Sequence, residues 1–130
     1  MTDDRLYRHA LMATGLVALA IVVLTLWPKD NGEAVPWAAL HGSRRAMLSL
    51  FYHFVAYTVL VWPLTAIRPR SALWLVPVAA AAGAVMEAIQ PHVGRNGTVE
   101  DALANALGAC MGAALGWLTH RYLRRRRALR

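Results

Sequence analysis

Charge is scarce in this chain. Asp, Glu, Lys and Arg make up 16% of its 130 residues, against about a quarter in an ordinary soluble domain. The charge is also one-sided, with seven acidic against fourteen basic side chains and a net charge of +7. Lysine is almost missing, since Lys29 stands alone beside thirteen arginines. A single cysteine, Cys110, excludes an internal disulfide framework; it lies in an apolar run and reads as a small helix-packing residue. Several catalytic signatures are missing too: a phosphate-binding Gly-xxxx-Gly-Lys loop, a Gly-x-Ser-x-Gly elbow and a His-Glu-xx-His helix. Nucleotide hydrolysis, serine-esterase chemistry and zinc-protease chemistry therefore have no visible apparatus.

What is present in excess is apolar side chain, at 58% of residues with a mean hydropathy of +0.38. A chain this short leaves much of its surface outside any core, so that surface must face something other than water. Disorder is excluded and a soluble enzyme is disfavoured. The expectation is an all-α polytopic membrane protein whose first partner is the lipid bilayer.

A membrane-crossing helix needs about 20 mostly apolar residues. Four runs qualify: 10–27, 46–67, 71–90 and 101–118. Pro28-Lys29-Asp30-Asn31-Gly32 closes the first, Arg68-Pro69-Arg70 the second and Pro91 the third. The fourth, rich in Ala and Gly, is the least hydrophobic and needs its neighbours to hold it. A cleaved signal peptide with its processing site in 31–39 is disfavoured, because the first run is long and Lys29-Asp30 follows it directly.

Arginine and lysine near the span ends set orientation. With the N-terminus inside, the inner segments hold Arg5, Arg8, Arg68, Arg70 and the six arginines of 121–130, whereas the outer loops hold Lys29, Arg44, Arg45 and Arg95. Both termini are thus expected in the cytoplasm of a bacterial inner membrane. Trp27 and Trp37 then fall at the outer interface, and Trp62, Trp74 and Trp117 at the inner one. The arginine tail at 121–130 reads as a topology anchor on anionic inner-leaflet lipid rather than a nucleic-acid contact.

This topology gathers distant polar residues at the outer face. His53 lies near the outer end of the second span, Glu87 and Gln90 end the third, Arg95 is in the loop, and Asp101 and Asn105 open the fourth. Spacing places Ala79, Gly83, Glu87 and Gln90 on one helix face, and Asp101, Asn105, Gly108, Gly112 and Gly116 on another. Small residues at four-residue spacing let helix backbones approach closely, so Gly83 is expected to pack against the ridge Gly108, Gly112 and Gly116. Ser49, His53 and Tyr57 form a further polar stripe. Glu87, costly in a membrane, needs a partner; Arg95 is the first candidate and His53 the second.

Glu87-Ala-Ile-Gln90, Arg95, Asp101, Asn105, Gly108 and Gly112, with His53 four residues before Tyr57, resemble the VanZ-like family of small bacterial membrane proteins. The likeness runs over residues 49–116. Where that family often has Asp-Lys four and three residues before the histidine, this chain has Ser49-Leu50. The family takes its name from a teicoplanin-resistance protein, so the resemblance implies a role in the cell envelope, of the kind seen in glycopeptide antibiotic resistance.

Three roles follow for the cluster of His53, Glu87, Gln90, Arg95, Asp101 and Asn105. It can bind a lipid-linked envelope precursor or a glycopeptide, act as acid and base in a membrane enzyme, or serve only as a polar lock between helices in an accessory subunit. Binding is the leading functional expectation, with Arg95 meeting negative charge and the amides orienting the ligand. His53, His92, Glu87 and Asp101 lack a compact ligand spacing, so no metal and no cofactor are expected.

Overall fold

The computed structural model of this chain describes residues 3–27, 42–94 and 97–129. Over these residues it is helical with no strand: α1 spans Asp3–Leu26, α2 Gly42–Ile67, α3 Ala72–Ile89 and α4 Val99–Ala128. Short 3-10 turns at Pro69–Ser71 and Gln90–Val93 join α2 to α3 and extend the end of α3. All four helices are long and apolar enough to cross a membrane, as the hydropathy runs required. α1, α2 and α4 start before their runs and α4 also ends after its own, while α3 stays within its run; hydropathy marks only the hydrocarbon-length core, and helix continues into flanking polar residues. Thus α1 starts at Asp3, and α4 continues through Arg121 to Ala128. The basic tail is accordingly the last two turns of a transmembrane helix. There Arg121 stacks on Trp117 and Arg126 on Tyr122, both one turn back. Trp37 and Lys29 lie outside the described residues.

α4 packs mainly along α2, then along α3, while α1 packs on α2. The α2–α4 pair is parallel. Ser49 meets Asp101, His53 meets Asn105, Thr58 meets Gly108 and Thr65 meets Gly112, so both helices advance in the same direction. This corrects the expected partner of the glycine ridge. Gly83 does face Asn105, but Gly108 lies against the Phe54 backbone, Gly112 against Thr58 and Gly116 against Thr65, all on α2.

The physical reason lies in the α2 face at 54, 58, 61 and 65. Thr58 bonds its own-helix carbonyl of Phe54 (2.8 Å) with Gly108 O 3.1 Å away, and Thr65 bonds Val61 O (2.9 Å) with Gly112 O 3.4 Å away. Each hydroxyl is satisfied locally and adds an acceptor contact across the interface, which only glycine backbones come close enough to provide. Val61, Leu64, Tyr57, Leu75, Ala79 and Ala109 fill the interior between them. Most large apolar side chains point outward, including Leu16, Leu24, Leu73 and Leu107, as the lipid-facing side of a bundle should. Cys110 is also exposed on α4; it faces outward instead of packing between helices, because the ridge at 108, 112 and 116 already occupies the contact face.

The parallel pairing gives the bundle two distinct ends. One collects the starts of α2 and α4 with the end of α3. The other collects the start of α1, the end of α2 and the arginines of α4, tied together by Arg68 stacked on Tyr7 (3.8 Å) and by His120 Nδ1 donating to Ala66 O (3.1 Å).

Candidate functional site

At the first of these ends, residues from three helices form one polar network. Glu87 and Gln90 are buried at the close of α3, and Asp101 and Asn105 at the start of α4, with Asn105 fully covered. From α2, His53 donates from Nδ1 to Asn105 Oδ1 (2.9 Å), and its Nδ1 is 3.5 Å from Glu87 Oε1. With the proton on Nδ1, the imidazole is held between amide and carboxylate and its Nε2 is left for other partners. Ser49 donates its hydroxyl to Asp101 Oδ1 at 3.1 Å. Glu87 has His53, Asp101 and Asn105 as its electrostatic neighbours, and Tyr57, one turn deeper on α2, also feels its charge.

The loop between α3 and α4 builds the roof. Gln90–Val93 ends at Gly94, whose φ of +73° a side chain would strain. Gly97 then passes so close to the Glu87 carbonyl that a Cβ has no room. Thr98 caps α4, its hydroxyl accepting from Asp101 N (3.1 Å), while its own N–H donates to Glu87 Oε2 at 3.3 Å. In an ordinary capping box the acid three residues on would take that N–H. Here the α3 carboxylate takes it instead, leaving the Asp101 side chain to Ser49. Glu87 therefore sits at the N-terminal end of α4, against its first backbone N–H groups.

Thr98 and Ser49 are the site residues that the expected cluster left out. The signal for Thr98 was present as Thr98-x-x-Asp101 at a helix start, and Ser49 lay on the stripe with His53. The other expected members, His53, Glu87, Gln90, Asp101 and Asn105, do come together. Arg95, the first candidate partner of Glu87, lies outside the described residues; His53, the second, is the one in contact. His92 is exposed, and among the described residues no three His, Cys, Asp or Glu side chains are grouped to hold a metal ion.

The cap gives a direct prediction. Thr98→Ala removes the acceptor for Asp101 N and should cost about 1 kcal/mol. Amide hydrogen exchange in the first turn of α4 should rise, with the middle of α4 unchanged; unchanged exchange at Asp101 would contradict the cap.

Chemically, the network is rich in acceptors. Glu87 lies against the His53 imidazole and Asp101 against the Ser49 hydroxyl, so a complementary ligand group brings hydrogen-bond donors or positive charge. An apolar groove of about 390 Å³ runs along the same turns of α2 and α4, lined by Leu50, Phe51, Phe54, Leu103 and Leu107, with Glu100 beside them. Comparison of the chain with protein-family models, with curated proteins and with solved structures finds no match in any of the three.

Proposed function

We propose that this chain is a VanZ-like integral membrane protein of the bacterial cell envelope, lying in the inner membrane with both termini cytoplasmic. Its polar end then faces out and binds a lipid-linked envelope precursor or a glycopeptide-type ligand. The observation carrying this reading is the part-buried Ser49–Asp101 and Glu87–His53–Asn105 network, assembled from three helices at the end opposite the arginine run of α4. Ionisable groups inside a membrane are costly and concentrate where ligands or protons are handled. Precursors and glycopeptides both carry sugar hydroxyls and amino groups, the donors that two carboxylates can receive. The neighbouring apolar groove suits the chain of a lipid-linked molecule. The basic excess at the other end supports the orientation.

Glu87→Gln tests this, since it keeps shape and removes charge. The expected outcome is at least about tenfold weaker binding of a purified lipid-linked wall precursor or of teicoplanin, the loss of one charge-assisted bond. Membrane level and thermal unfolding in detergent should stay near the parent. If binding survives, or if folded protein disappears in parallel, the network is a lock between helices and the reading fails.

A further inference from the structure

The opposite end of the bundle carries a second polar feature that the outer network does not use. Between the start of α1, the end of α2 and the last turns of α4 lies a cleft of about 320 Å³. Arg68, His120, Arg124 and Arg127 line it, with Leu6 and Leu123 among its apolar residues. No carboxylate is among the described residues lining it. The Arg68 and Arg124 guanidinium groups facing one cavity repel one another, and an anion between them relieves that repulsion.

Two of the four basic groups are already held in place. The Arg68 guanidinium lies over the Tyr7 ring at 3.8 Å. That stacking uses its flat face and leaves the in-plane N–H fork available for an oxyanion. His120 donates from Nδ1 to the Ala66 carbonyl at 3.1 Å, which fixes the ring and leaves Nε2 for the cleft. Arg68 and His120 are therefore ordered before any ligand arrives, so little of their side-chain entropy is lost on binding.

We propose that this cleft binds an anionic phospholipid whose headgroup carries two negative charges, with phosphate oxygens on Arg68, Arg124 and the imidazolium form of His120. The start of the acyl region lies against Leu6 and Leu123. Cationic clefts between helices on the cytoplasmic side suit such headgroups, and the leaflet assigned here follows the proposed orientation. The apolar wall selects lipid over free phosphate, which would leave Leu6 and Leu123 against water.

Delipidated protein in detergent, titrated with cardiolipin, phosphatidic acid, phosphatidylcholine and inorganic phosphate under native mass spectrometry, reads this out. Retained cardiolipin or phosphatidic acid adducts are expected, with neither phosphatidylcholine nor inorganic phosphate retained. Arg68→Gln with Arg124→Gln should weaken lipid binding about thirtyfold, from two basic contacts. Arg125→Gln with Arg126→Gln removes the same charge outside the cleft and should change it less than about threefold, within the weak effect of exposed charge. If the first pair does not fold, Arg124→Gln alone should weaken binding about fivefold, from one basic contact. Equal losses in the cleft and control pairs would reduce the effect to general tail electrostatics and overturn the proposal. Equal retention of inorganic phosphate would overturn the lipid assignment. Glu87→Gln leaves this binding unchanged, so the outer site and this one fail separately.

Discussion

Replacing Gly108 and Gly112 together with alanine is expected to abolish cooperative thermal unfolding of the protein in detergent. At Gly108 the new methyl group would run into the Phe54 carbonyl, and at Gly112 into that of Thr58. Both obstacles are helix backbone, which cannot rotate aside as a side chain does, so the helices must separate. Overpacking of this kind costs about 1–3 kcal/mol per site. Two adjacent sites on one interface reach the lower end of the stability of a small protein, about 5–15 kcal/mol. Separation also lengthens the Thr58–Gly108 and Thr65–Gly112 contacts. Gly15→Ala is the control: a Cβ there has nothing within 4 Å, and the gain in helix propensity should hold or raise stability by up to about 1 kcal/mol. A double variant melting with the parent would show that the glycine ridge is not the closest point of the bundle.

The second large effect is expected at Asn105. Asn105→Ala removes the acceptor of the His53 Nδ1 proton and the amide beside Glu87, at a position that no solvent reaches. Leaving buried polar groups without their partner costs about 1–3 kcal/mol, more than the roughly 0.6 kcal/mol typical of one interhelical bond in a membrane protein. The excess arises because His53 and Glu87 both lose a neighbour at once. A cycle combining Asn105→Ala with His53→Ala should therefore be non-additive, the double variant being less destabilised than the sum of the singles. Additive losses in detergent unfolding would mean that the two side chains act independently and that no network exists.

Much of this architecture was legible from residue order. Hydropathy delimited four spans, and alternating direction alone put His53, Glu87, Asp101 and Asn105 at one end. Small residues at four-residue spacing correctly signalled close backbone approach, but a ridge of glycines has no side chains to name its partner. Thr58 and Thr65 chose α2 over α3, because their hydroxyls reach glycine carbonyls across the seam. Those threonines look like ordinary span residues until the parallel register is known. Helix ends were less legible, since hydropathy stops at the apolar edge while caps and arginines carry the helix further. The Thr98 cap and the helical continuation through Arg121 both fell beyond that edge. Formal charge ranks Arg95 first as the partner of Glu87, and that residue lies outside the described ones; His53, ranked second, is in contact with it.

The parallel pairing of α2 with α4 has a consequence for biogenesis. During synthesis α2 emerges first, and α3 must be made before the strip that covers Thr58, Thr65 and His53 exists. α2 therefore waits in the translocation machinery or the bilayer with its threonine stripe open, while α1 and α3 pack on other parts of it. α4, the least hydrophobic of the four at a mean hydropathy of 1.3, is retained by the partner already waiting for it. Assembly is thus completed from the last helix backwards, and ribosome-bound chains ending before Val99 should cross-link from α2 to lipid or insertase, not to a finished bundle.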